Sequence, residues 1–151
     1  MLDDFRNSFG IAESALGFIV GIGFFSSFLG QVTLAPLADR GRARRLIVLG
    51  LGLEVIGCIG MAFGTTVVTL LISRLIMGLG AGTALPALRR VIIVADPENF
   101  GSNLGRILSF EVAGFTAGPI VALIVAQFFG IPGPFIFLAA LIAAFMVVIG
   151  K

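Results

Sequence analysis

Glu54, Arg74 and Glu111 are the three residues of this 151-residue chain whose type and position most directly suggest chemistry. Each lies well inside a run of apolar residues, where a lone charge costs a few kcal/mol even on lenient insertion scales and so requires a partner or a watery cavity. Two chemistries fit them. One is a fixed Arg–Glu pair across helices that sets packing. The other is a proton-coupled or ion-coupled site, in which a carboxylate titrates as its solvation changes. Enzymatic chemistry is poorly supplied. The chain has no histidine, which removes imidazole acid–base catalysis, Ser-His-Asp hydrolysis and histidine-ligated metals. Its single cysteine, Cys58, can form neither an internal disulfide nor a thiolate metal cluster. No nucleophile, metal site or phosphate-binding loop accompanies Glu54 and Glu111, so neither an enzyme nor a bound cofactor is expected.

The elements that must carry these charges are membrane helices. With 58% hydrophobic residues, 12% charged residues and a mean hydropathy of +1.15, the composition is that of an all-α polytopic bundle in a lipid bilayer. At about 20 residues per span the length allows roughly five. The apolar runs fall at about 15–37, 46–63, 67–94, 103–129 and 135–149, and their lack of alternation argues against membrane strands. Arg40, Arg42, Arg44 and Arg45 follow the first run, Arg89, Arg90 and Arg106 flank the link between the third and fourth, and Lys151 follows the fifth. The opposite links, Gly64-Thr-Thr66 and Gly130-Ile-Pro-Gly-Pro134, carry no basic residue. By the positive-inside rule the amino end is expected outside and the carboxyl end in the cytoplasm. The basic clusters are thus topogenic, and nucleic acid is not an expected partner. A chain that starts outside with an acidic stretch and no signal peptide is expected to lack a preceding span, leaving Met1 to Ser14 as an external loop.

Glycine is abundant, with 21 residues, and recurs in small-xxx-small pairs inside the runs: Gly17 and Gly21, Gly60 and Gly64, Gly78 and Gly82, Gly114 and Gly118. Such pairs let helix backbones approach closely in lipid. Glu54 shares a helical face with Gly50 and Gly57, Arg74 with Gly78 and Gly82, and Glu111 with Gly114 and Gly118, so all three charges are expected to point into the bundle. Glu54 and Glu111 lie roughly 12 Å from one end of their spans and Arg74 roughly 10 Å from the other. Pro86 and Pro119 interrupt spans and allow bends. The run Gly78-Leu-Gly-Ala-Gly82 lies inside a lipid-length helix with no strand before it, unlike a dinucleotide-binding loop.

Three motifs together resemble the amino-terminal half of a major facilitator superfamily (MFS) transporter, from its second to its sixth helix. The loop Ala35-Pro-Leu-Ala-Asp-Arg-Gly-Arg-Ala-Arg-Arg-Leu46 is similar to the family's G-x-L-A-D-R-x-G-R-K, with Leu37, Ala38, Asp39 and Arg40 matching directly. Ala35 replaces the leading glycine. The glycine–arginine pair aligns either as Gly41-Arg42 with one residue skipped or, without a gap, as Arg42-Ala43. The segment Arg74-Leu-Ile-Met-Gly-Leu-Gly-Ala-Gly82 resembles R-x-x-q-G-x-g-a, with Met77 where glutamine is frequent. Gly105, Gly114, Gly118 and Pro119 match the spacing of the antiporter signature G-x8-G-x3-G-P-x2-G, with Ala122 in place of its last glycine.

The resemblance implies an alternating-access carrier of a small-molecule substrate, of the drug:proton antiporter kind, drawing on a proton gradient in the inner cell membrane. It implies that Arg74 takes part in proton transfer and that Asp39, Arg40, Arg42 and Arg44 form a cytoplasmic gating cluster with Asp96. Phe24, Ser27, Phe28, Phe115 and Thr116 could line its cavity. The first helix and the carboxyl-terminal half would then be missing partners. A sugar or metabolite carrier of the same fold, and a truncated scaffold that transports nothing, are the alternatives.

Overall fold

The computed structural model describes residues 13–150, except the side chains of Glu13, Ala35, Asp39 and Arg40. The expected external loop before Glu13, and Lys151, lie outside the described residues. Five helices follow in order: α1 (Glu13–Thr33), α2 (Ala43–Phe63), α3 (Val67–Ala95), α4 (Phe100–Phe129) and α5 (Gly133–Gly150), with a 3-10 helix (Ala35–Arg40) between α1 and α2. Among the described residues there is no strand. Four of the helical segments are long and apolar enough to cross a membrane, and Gly133–Ile149 is a shorter apolar helix. The molecule is an all-α membrane bundle.

α3 begins at Val67 as its apolar run does, but the other four helices begin earlier than their runs. α2 takes Arg44 and Arg45 into its first turn, and α4 starts at Phe100 instead of Asn103. Hydropathy marks where lipid contact starts, whereas helical hydrogen bonding continues into the polar interface, where water can satisfy the end groups. The first run, in contrast, is broken before its apolar end. Pro36 has no N–H to donate, so the chain leaves α1 and passes into the 3-10 helix, which closes on Gly41 in the left-handed conformation at φ +75°. α3 opens with a reciprocal capping box between Thr66 and Thr69. Pro86 and Pro119 sit inside α3 and α4 without ending them.

α3 is the axis of the bundle, with α2 packed on one side and α1 on the other. α5 leans on α2, and α4 touches only α5 and α3. The reason lies in Gly78-Leu-Gly-Ala-Gly82. Residues four apart on a helix differ by about 40° in direction and residues two apart by about 200°, so Gly78 and Gly82 share one face and Gly80 looks the opposite way. A Cβ at Gly78 or Gly82 would strike Gly23, Ser26 or Ser27 of α1; one at Gly80 would lie 2.5 Å from the Gly50 carbonyl oxygen of α2. Gly57 adds to this second seam, its would-be Cβ 2.7 Å from the Cβ of Met77. Apolar clusters close both ends, Leu16, Ile19, Met61 and Leu70 at one and Ala38, Leu46, Ile47 and Ala87 at the arginine-rich other.

Two of the expected small-residue pairs are not used in this way. Around Gly17 and Gly21 in α1, and around Gly114 and Gly118 in α4, a Cβ would meet nothing within 4 Å. α4 has no buried residue at all. Small residues permit a close approach, but whether a helix is there to make it depends on the neighbours.

Candidate functional site

Arg74 stands on α3 about two turns from its start, and Glu54 of α2 lies against α3 nearer its middle, at Gly80. Arg74 lies on the face of α3 that meets α1, as its register with Gly78 and Gly82 requires. Its side chain rests against Gly23, where a Cβ would be 2.6 Å from Nε. Its Nη1 donates to the thioether of Met77 one turn on, at 3.6 Å, and Met77 Sδ lies 4.0 Å from the Sγ of fully buried Cys58. Glu54 lies on the opposite seam, between Gly50 and Gly57, with its Cγ 2.8 Å from where a Cβ of Gly80 would be. Both charges are half-buried. Among the described residues neither has an ion-pair partner. The two are held on different faces of α3, so they do not neutralise each other.

Glu111 is paired instead. Arg89 of α3 grips it with both arms, Nε to Oε1 at 2.8 Å and Nη2 to Oε2 at 2.5 Å. This is the bidentate geometry that guanidinium and carboxylate favour, and it ties α4 to α3. Arg89 reads from sequence as one of the topogenic arginines. Its partner is 22 positions away, and only the crossing of α3 and α4 brings them together. For Glu111 the fixed-pair chemistry is the one the structure has, and its expected neighbours Gly114 and Gly118 face open space.

At the arginine-rich end, Asp96 follows α3 and accepts side-chain amide bonds from Asn99 at 3.0 Å and Asn103 at 3.2 Å. These donors hold its carboxyl below the ordinary aspartate range. The side chains of Asp39 and Arg40 lie outside the described residues. Arg42 is exposed, and Arg44 donates from Nη2 to the carbonyl of Ile149 at 3.0 Å, satisfying one of the free carbonyls that end α5. Arg44 and Arg90 also line a cleft of about 420 Å³ with Val91 and Val94.

The remaining candidates are not gathered into one place. Phe24 and Phe28 on α1, and Phe115 and Thr116 on α4, are exposed, and α1 and α4 make no contact, so these residues do not enclose a cavity. Ser27 abuts Gly82 through its backbone. Gly105 and Pro119 share the open surface of α4 with Gly114 and Gly118. Three residues around the charges escape sequence reasoning: Gly23, Met77 as a sulfur acceptor, and Arg89. The only linear hint was that Gly23 stands among several small residues of the first run.

The chain is 30% identical over 150 residues to the multi-drug resistance efflux pump PmrA of Streptococcus pneumoniae serotype 4, covering 91% of this chain and 37% of the pump. It is 27% identical over 140 residues to the D-xylose transporter of Levilactobacillus brevis, covering 83% of this chain and 30% of that protein. It is 28% identical over 120 residues to the 4-hydroxybenzoate transporter PcaK of Pseudomonas aeruginosa, covering 76% and 27%. The chain thus spans about a third of the length of these relatives. No solved structure matches it. The sequence profile of the Major Facilitator Superfamily matches residues 1–150, which takes in α1 to α5 and both unpaired charges on α3 and α2, and to that superfamily this chain belongs.

Proposed function

We propose that the chain is the amino-terminal transmembrane half, from the second helix to the sixth, of a proton-coupled exporter of small organic molecules. The observation that carries this is Arg74, a half-buried guanidinium about two turns inside α3 whose acceptor among the described residues is a thioether and not a carboxylate. A bundle kept only for its packing would neutralise such a charge, as Arg89 neutralises Glu111. Arg74 is left available to a substrate or to a titrating carboxylate, and Glu54 is a second coupling candidate on the opposite seam. Similarity to an efflux pump over nearly the whole chain supports export. In this reading two halves rock about a central site. The missing first helix and carboxyl-terminal half supply the rest of the cavity, where Phe24, Phe28, Phe115 and Thr116 would line it. The arginine-rich end, with Asp39, Arg40, Arg42, Arg44 and Asp96, faces the cytoplasm and gates it. The proton gradient is the energy source, and no bound cofactor is needed.

The test uses the complete carrier in proteoliposomes loaded with a fluorescent cationic drug. Export should follow an imposed proton gradient and fall at least about tenfold in Arg74→Gln, with the protein still inserted. Transport that is unchanged by collapsing the gradient, and unchanged in Arg74→Gln, refutes the reading. A sugar or metabolite carrier is the second reading, favoured by similarity to the D-xylose transporter. Pentose uptake with no drug export would select it.

A further inference from the structure

Arg74 is restrained by contacts that leave its charge intact. On the α1 side, a Cβ at Gly23 would sit 2.6 Å from Arg74 Nε, 3.0 Å from Cγ and 3.1 Å from Cδ. The stem and the planar head of the arginine therefore lie against the bare Cα of Gly23. From α3 itself, Met77 Sδ accepts from Nη1 at 3.6 Å, a weak acceptor that carries no charge. Other glycines of the α1–α3 seam are different. A Cβ at Gly30 would meet the Leu79 carbonyl oxygen at 3.0 Å and the Gly82 carbonyl carbon at 3.2 Å, and one at Gly82 would strike the backbone of Ser27. Those positions serve the backbone-to-backbone approach by which helices pack in lipid. At Gly23, all three of the nearest atoms belong to one charged side chain.

We infer that Gly23 is a positioning residue for Arg74: the missing Cβ is the slot that seats the guanidinium. Together with Met77 it sets the direction of a cation that no carboxylate among the described residues neutralises, and so keeps that cation ready for an arriving anion. The use of the cation rests on the coupling role proposed above; the seating does not.

The seating is tested on the chain purified into lipid nanodiscs, comparing Gly23→Ala, Arg74→Ala, the double variant and Gly30→Ala. Gly23→Ala should lower the unfolding midpoint by about 2–4 °C. It should also move the Arg74 Nε–Hε resonance in nitrogen–proton correlation spectra, which is assigned by its absence from Arg74→Ala. The thermal loss should vanish in the Arg74→Ala background, because the added methyl then enters an empty slot. Gly30→Ala should lower the midpoint and leave that resonance in place. A loss that persists in full in the double variant, or a resonance that does not move, overturns the inference. If Gly23→Ala alone fails to fold while the double variant folds, the inference stands; if both fail, it falls. In the complete carrier Gly23→Ala should shift the pH profile of export. An unchanged profile in Arg74→Gln removes the coupling role without touching the seating result.

Discussion

α3 and α4 have much in common: 29 and 30 residues long, both apolar, both interrupted by a proline, both carrying glycines and charged residues within the helix. They end up in opposite situations. α3 buries Gly78, Gly80, Gly82 and five other residues between α1 and α2, while α4 buries none. In water the hydrophobic effect would drive both helices into a core. In lipid it does not, and association depends on whether two surfaces fit. Glycines on two opposite faces let α3 accept a backbone on each side. Gly114 and Gly118 of α4 form a single smooth face, and none of the described helices stands against it. What holds α4 is its packing on α5, together with one ion pair to α3, Arg89 to Glu111.

The sharpest way to break this contrast is to fill the glycines. Gly82→Leu forces a side chain into the Ser27 backbone and should destabilise the chain by about 3 kcal/mol, or prevent folding, in thermal unfolding in nanodiscs. Gly118→Leu should change the same measurement by no more than about 0.5 kcal/mol. Equal losses from the two would mean that α4 is packed after all.

A smaller effect is expected at the ion pair. Its side chains are 36% and 27% exposed, so solvent screening limits the pair to about 1 kcal/mol. Glu111→Gln should therefore raise hydrogen exchange throughout α4 while α2 and α3 keep their protection. Arg89→Gln should do the same, and the double variant should be no worse than either single one. Uniform loosening of all helices would show that α4 is not separately tethered.

The smallest effect concerns pH. The carboxyl of Asp96 is held low by Asn99 and Asn103, so the folded state favours its ionised form more than the unfolded state does. The resulting stabilisation of the α3–α4 junction is present above the ordinary aspartate range and is lost as pH falls through the lowered value. Amide protection near Asn99 should thus hold from neutral into mildly acidic solution and weaken only in stronger acid. In Asn99→Ala with Asn103→Ala the protection should already be lower at neutral pH and this acid-dependent loss should disappear. A junction whose protection is independent of these amides would contradict the assignment.

Much of this architecture was legible in the residues. Long apolar runs cannot satisfy their backbone in lipid except as helices, and Glu54 and Arg74 sat in register with glycines that do face neighbouring helices. Gly17 and Gly21, and Gly114 and Gly118, show the limit of that reasoning, because periodicity identifies a face and says nothing about what covers it. Arg89 shows it again: near the end of a span it reads as a topology signal, yet its side chain reaches Glu111 on the next helix.

From residue order alone follow the membrane bundle, its arginine-rich end and the register of Glu54 and Arg74 with nearby glycines, because each depends on local quantities such as hydropathy, charge and helical period. The seat of Arg74 on Gly23, the pairing of Glu111 with Arg89 and the isolation of α4 came only with the packed helices. These are contacts between residues tens of positions apart, and in a bilayer they hang on the shape of two surfaces meeting, which no single helix encodes.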